Sequence, residues 1–201
     1  MEILFKNSDL IVIVKPVGLD SEKGVPEELK SSVGGDIYTI HRLDKNVSGV
    51  MVYTRKKGAA AELSRAVTDG SMIKEYLAIV HGDLPERGDW TDLLFKDSTK
   101  NKVFVVKRER RGVKSARLEF KKLSGGETSL AEIRLHTGRI HQIRVQFASR
   151  GFPLVGDSKY GAKDSVSYPM LFSFRITFPF RGENMSFERK PEWFKEDKNE
   201  A

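Results

Sequence analysis

Short β-rich runs recur along the whole sequence and narrow the fold before any reactive side chain is considered. Apolar or alternating stretches fall at residues 10–14, 37–40, 50–53, 73–80, 102–106, 116–123, 129–135 and 171–178. Runs of this length and composition mark strands. Helical spacing is confined to residues 59–67, closed by Asp69-Gly70, and residues 139–149, where Ile140, Ile143 and Phe147 share one face before Gly151 and Pro153. Strands joined mostly by turns rather than by helices disfavour a doubly wound parallel sheet. The expected fold class is therefore α+β, built on a mixed, largely antiparallel central sheet. Gly34-Gly35 and Gly125-Gly126 mark turns, and no linker rich in Pro or Ser divides the chain. With 201 residues, 39% of them hydrophobic, there is apolar material for one sizeable core. The sequence thus reads as one folded unit over residues 1–189 and a charged tail over residues 190–201 that frays. The first recognisable strand begins almost at Met1, so no separate module is expected ahead of it.

Cysteine is absent, which removes disulfides, thiolate nucleophiles and cysteine-ligated metal sites and suits a reducing, cytoplasmic setting. The apolar run at residues 10–14 is too short for a signal peptide or a membrane span, so no membrane partner is expected. A net charge of +7 suggests a polyanionic partner, and its distribution is more telling. Residues 96–122 hold eleven Lys and Arg against three acids, with Lys107, Arg108, Arg110 and Arg111 at their centre. That stretch carries the whole positive excess, and it is either a surface that tracks phosphates or the solvated face of a hairpin.

Three stretches hold candidate chemistry. In Ile40-His41-Arg42-Leu43-Asp44-Lys45-Asn46-Val47-Ser48-Gly49, a polar segment between two strands presents Asp44 beside Arg42 and Lys45. Neighbouring cations favour the ionised carboxylate, which can act as a nucleophile; a loop aspartate taken alone more often makes an Asx-turn or a surface ion pair. In Leu135-His136-Thr137-Gly138-Arg139-Ile140-His141-Gln142-Ile143-Arg144, a strand ends and a helix begins. The planar guanidinium of Arg139 or Arg144 suits a carboxylate or a phosphate, and an arginine at a helix start calls for a partner to offset the dipole. In Lys74-Glu75-Tyr76-Leu77-Ala78, alternation puts Lys74, Tyr76 and Ala78 on one strand face, where Tyr76 either stacks on a base or is an ordinary half-buried tyrosine.

Taken together and in this order, the three stretches resemble the motifs of the RluA-type pseudouridine synthases. The family's H-R-L-D-x-x-T-S-G signature is matched by His41-Arg42-Leu43-Asp44 and Ser48-Gly49, its K-x-Y-x-A motif by Lys74, Tyr76 and Ala78, and its G-R-x-H-Q-I-R motif by Gly138-Arg139, His141 and Gln142-Ile143-Arg144. The resemblance continues through Lys15-Pro16-Val17-Gly18-Leu19, Gly156-Asp157, Lys159-Tyr160-Gly161 and residues 171–178, nearly the whole chain. Two departures stand out. Val47 occupies the position of the usual threonine, and residues 21–35 differ from the common pattern, as a variable loop or a mark of a different substrate.

The resemblance implies an RNA uridine isomerase that breaks the N1–C1′ glycosidic bond, rotates the base and rejoins it through C5. Asp44 would be the catalytic carboxylate, Tyr76 the aromatic stacked on uracil, and Arg139 the ion-pair partner that orients Asp44, with Arg144 the second candidate. Arg42 would enter the space left by the extruded base. His41, Lys74, His141, Gln142 and Arg144, together with Lys107, Arg108, Arg110 and Arg111, would hold the RNA. An isomerisation needs no cofactor or metal. The partner would be structured tRNA or rRNA, and the chain a monomer. Three other readings carry less weight. A catalytically inactive RNA-binding member would be expected to lack the aspartate. A glycoside hydrolase generally needs a second catalytic acid, which the motifs lack. A metal enzyme using His41, His136 and His141 lacks the i, i+4 spacing of helical zinc ligands.

Overall fold

The computed structural model describes residues 1–194. Eleven strands form one sheet: β1 (Glu2–Lys6), β2 (Leu10–Lys15), β3 (Tyr38–Thr39), β4 (Ser48–Thr54), β5 (Ile73–His81), β6 (Arg87–Asp97), β7 (Lys102–Val106), β8 (Val113–Ser124), β9 (Thr128–Leu135), β10 (Leu171–Phe180) and β11 (Glu183–Glu188). The helices are α1 (Gly24–Val33), α2 (Lys57–Asp69) and α3 (Gln142–Ala148), with one 3-10 turn at Ser158–Tyr160. Strand order is β1-β2-β4-β10-β5-β9-β8-β6-β7, with β3 added to β4 and β11 to β10. All pairings between these strands are antiparallel except β4 with β10. The α+β class with a mixed, largely antiparallel sheet is the one expected. No helix among the described residues is long and apolar enough to cross a membrane.

Alternation along the strands explains why helices cover both faces. On β2 and β4, Ile11, Ile13, Met51 and Tyr53 point to one side and pack with Val25 and Leu29 of α1. Leu10, Val12, Val50 and Val52 point to the other and pack with Ala59, Leu63 and Ala66 of α2. Ile143 and Phe147 of α3 join the α1-side core against Leu118, Phe120 and Ile133. Gly70 closes α2 in the left-handed region, as the Asp69-Gly70 pair suggests.

The parallel junction is short, Phe172 opposite Ser48 and Ser173 opposite Gly49, and it brings three strands together where the chemistry-bearing loops end. Ser173 also lies opposite Tyr76 of β5, and Lys74 lies opposite Leu135 at the end of β9. A Cβ on Gly49 would collide with the Ser173 backbone, and Gly49 has φ +134, so this meeting point admits glycine alone.

Three local expectations are corrected. Residues 21–35 contain α1 rather than only a variable loop; Pro26 sits in its first turn, where the missing N–H costs nothing. The helix expected over residues 139–149 starts at Gln142, because His141 takes a left-handed conformation with φ +51. Residues 190–194 do not all fray: Pro191 is buried, and Trp193 and Phe194 pack on Leu77, Phe172 and Phe174. The rest of the charged tail lies outside the described residues.

Candidate active site

The loop between β3 and β4 carries Asp44, and it is pinned from several sides. Leu43 and Val47, flanking Asp44, are buried in the core. Val47 is 2% exposed among apolar neighbours, where a hydroxyl would need a partner of its own, so the valine suits the packing here. The Ser21 hydroxyl donates to the Leu43 carbonyl at 2.8 Å, and the Tyr53 hydroxyl to that of Ser21 at 2.8 Å. The buried Lys15 ammonium donates to the carbonyls of Pro16, Leu19 and Lys45 at 2.8, 2.9 and 3.3 Å. Burial lowers its pKa to about 8, with the Asp44 and Asp20 charges opposing that shift. Lys15-Pro16 thus ties the end of β2 to the loop that presents Asp44.

Asp44 receives its charge partner from α3. Arg144 donates from Nη1 to Asp44 Oδ2 at 3.0 Å, and from Nε and Nη2 to the two oxygens of buried Asp157, at 2.7 Å each. Burial works against the guanidinium charge, yet the two carboxylates outweigh it and raise the Arg144 pKa. The fork on Asp157 fixes Arg144, and the remaining Nη1 fixes one oxygen of Asp44, whose side chain keeps 18% exposure. Arg139 does not make the expected pair: its Nε donates to the Ser115 carbonyl at 2.9 Å. The late helix start is the reason, since it turns Arg144 inward and leaves Arg139 in the preceding turn. Gln142 secures that turn, accepting from the Arg139 N–H at 3.0 Å and the Thr137 hydroxyl at 2.8 Å while donating to the Arg117 carbonyl at 3.0 Å.

His141 stands beside the pair, Nε2 lying 3.7 Å from Asp44 Oδ2 and Nδ1 2.8 Å from the Tyr160 hydroxyl. That hydroxyl also accepts from the Val103 N–H at 3.0 Å. Burial, aided by the Arg144 charge, lowers the His141 pKa to about 4 despite Asp44, so the ring is neutral near pH 7. His41 is neutral too, at about 3 through burial and the Lys74 charge; its Nε2 accepts from the Val52 N–H at 3.3 Å, and its Nδ1 is buried without a partner. His136 pairs with Glu119 at 3.0 Å, and among the described residues no three His, Asp or Glu side chains are grouped so as to hold a metal ion.

A cleft of about 860 Å³ opens over these groups, lined among others by Asp44, Tyr76, His41, Lys74, Arg139 and Arg144, a size that holds small molecules or their polymer-linked parts. Tyr76 forms part of its wall and is 5% exposed; burial first, then the Asp44 charge, raises its phenol pKa. Burial lowers that of Lys74. Arg42 stands at the mouth, half exposed and paired with Glu22 at 2.7 Å. Lys107, Arg108, Arg110 and Arg111 lie apart, in the loop from β7 to β8, and none lines this cleft. Arg110 stacks 4.3 Å from the Phe95 ring centroid, while the adjacent Leu94 packs toward α3; alternation puts that loop on the face of β6 away from α3. Asp157, Tyr160 and Lys15 are the working residues that motif reading did not single out. They lie among the residues that carry the resemblance, but no spacing rule links Asp157 to Arg144.

Comparison with known proteins agrees with this geometry. Residues 9–149 match the family model described as RNA pseudouridylate synthase. An uncharacterized RNA pseudouridine synthase of Aquifex aeolicus is 31% identical over 97% of this chain and 71% of its own length. The dual-specificity RNA pseudouridine synthase RluA of Escherichia coli is 32% identical over 92% of this chain and 91% of its own. Several other relatives are longer, the chain spanning 54–60% of their length. Among solved structures, human RNA pseudouridylate synthase domain containing 1 superposes with a TM-score of 0.84 at 23% identity, covering 96% of this chain and 84% of that one. The motif-bearing loops, the sheet that presents them and the similarity over almost the full length lead to one assignment: this chain belongs to the RNA pseudouridine synthase family.

Proposed function

We propose that this protein converts uridine to pseudouridine in structured tRNA or rRNA, with Asp44 as the catalytic carboxylate. The observation that carries the reading is an aspartate held by a doubly anchored guanidinium on the floor of a cleft with an aromatic wall. The target uridine, unreachable while stacked, is extruded into the cleft, at a cost of a few kcal/mol. Stacking on Tyr76, worth about 1–3 kcal/mol, and phosphate contacts offset that cost. Arg42, released from Glu22, fills the vacated space in the RNA.

Asp44 then assists cleavage of the N1–C1′ bond, the freed uracil turns, C5 bonds to C1′, and the C5 proton leaves while N1 takes one up, which gives an isomer of the starting nucleotide. Arg144 keeps the Asp44 carboxylate aimed at the sugar and base. The raised Tyr76 pKa disfavours its phenolate as the acceptor of the C5 proton, which favours water acting with Asp44. Lys74, which lines the cleft, offers a donor to the substrate. Lys107, Arg108, Arg110 and Arg111 contribute longer-range attraction for the polyanion. The chain acts as a monomer in the cytoplasm.

The test is incubation with uridine-containing RNA in the presence of chelator, with pseudouridine read by carbodiimide-blocked primer extension. Product from the wild-type chain and none from Asp44→Ala supports the reading. No product from any tRNA or rRNA, with RNA still bound, would make the protein a binder rather than an isomerase.

A further inference from the structure

A second cleft, of about 360 Å³, lies beside the first and shares Arg42, Asp44, His141 and Arg144 with it. The two clefts therefore meet at Asp44. The second is also lined by Lys45, from the Asp44 loop, Lys96, at the end of β6, and Lys159, in the 3-10 turn. Three separate segments converge here, and Lys96 is the one lysine of the three drawn from the basic stretch at residues 96–122. The acids in the same lining are already engaged. Asp20 accepts the N–H groups of Glu22 and Lys23 at 2.8 and 2.9 Å, and Asp44 and Asp157 share Arg144. None of the three lysine ammonium groups has a carboxylate partner among the described residues. Asn46 and Asn101 add neutral amides to the wall.

We infer that this second cleft binds the phosphodiester backbone of RNA flanking the target nucleotide, through Lys45, Lys96 and Lys159. The inference rests on the isomerase reading for the identity of the polymer. Its physical basis is connectivity: a nucleotide whose C1′ lies at Asp44 remains joined to its neighbours, so the backbone must leave the main cleft within one sugar of that carboxylate. The adjoining cleft offers such an exit beside Asp44, where three ammonium groups from separate segments meet and none is held by a carboxylate among the described residues. Ammonium groups suit this task, since a point charge on a flexible stem accepts a range of phosphate positions and reads no sequence. The loop holding Lys107, Arg108 and Arg110, on the other side of β6, provides a control of equal charge.

The experiment compares the full chain with two variants, Lys45→Gln/Lys96→Gln/Lys159→Gln and Lys107→Gln/Arg108→Gln/Arg110→Gln, by fluorescence anisotropy. The probe is a fluorescein-labelled stem-loop RNA with uridines in its loop. Removing the cleft lysines is expected to weaken binding at least ~10-fold and to flatten the plot of log affinity against log salt by about 2, near ~0.7 for each single-strand phosphate that is no longer neutralised. The remote variant is expected to flatten the salt slope by less than half as much. In turnover assays on the same RNA the cleft variant's deficit should appear in KM rather than in kcat. Equal effects in both variants, or wild-type binding by the cleft variant, would overturn the inference. Because binding is read without turnover, failure of wild-type protein to make pseudouridine would count against the isomerase reading alone.

Discussion

Arg144 is the residue on which the geometry turns. It spans a fully buried aspartate and a partly exposed one, so removing it leaves Asp157 charged, buried and unpaired. Arg144→Met should lower unfolding stability by about 3–5 kcal/mol, seen as a lower urea midpoint, whereas Arg139→Met, which removes one hydrogen bond to a carbonyl, should cost about 1 kcal/mol. The resemblance put Arg139 first and Arg144 second, and the structure reverses that order. The reversal follows from the left-handed His141, whose conformation cannot be read from residue types. Buried His41 and half-buried His141 make a second prediction. Their folded pKa values, about 3 for His41 and about 4 for His141, lie below the ordinary 6.5. The unfolded chain therefore binds more protons between those limits. Stability is complete above pH 6.5 and falls as the pH drops toward 4, by up to about 1.4 kcal/mol per pH unit for each ring. Urea titrations of His41→Gln should show a shallower fall than wild type; an equal fall would place the effect elsewhere.

At the scale of elements, the runs with plain alternation were legible, β2, β5, β7 and β9 within a residue or two at either end, and so was α2 with its closing Gly70. β6 was not, because Gly88, Asp89 and Asp92 are residues depleted in strands. The strand is held from outside, between β7 and β8, with the Phe120 ring lying where a Gly88 side chain would be. β11 was missed although Met185 and Phe187 alternate with polar residues. Its two-residue turn, Arg181-Gly182, has both φ values positive, a form that favours Asn-Gly; here the arginine is held by Asp9 at 2.9 Å. The junction of β4 and β10 is the element on which the site depends. Gly49→Ala should destabilise the chain by about 1–3 kcal/mol from the backbone conformation alone, with more from the collision at Ser173. A lower denaturation midpoint at unchanged m-value is the expected sign.

At the scale of the molecule, the cleft itself was not legible. It exists because a parallel pairing between residues 48–49 and 172–173, far apart in sequence, seats the Asp44 loop beside Tyr76. Local periodicity carries no such information. Charge was only partly informative: the basic stretch was plain, but its most crowded part, residues 107–111, faces away from the cleft, while Lys45 and Lys159, outside the stretch, face into the neighbouring one. The ionised Asp44 oxygen is thus the proposed agent of glycosidic cleavage, with Arg144 its support and the rest of the molecule a means of delivering uridine to it. The most direct measurement is a single-turnover assay of Asp44→Asn on an RNA that the wild-type chain modifies, with enzyme in excess so that binding is saturated. No detectable pseudouridine is expected while the RNA remains bound; conversion at the wild-type rate would contradict the assignment of Asp44.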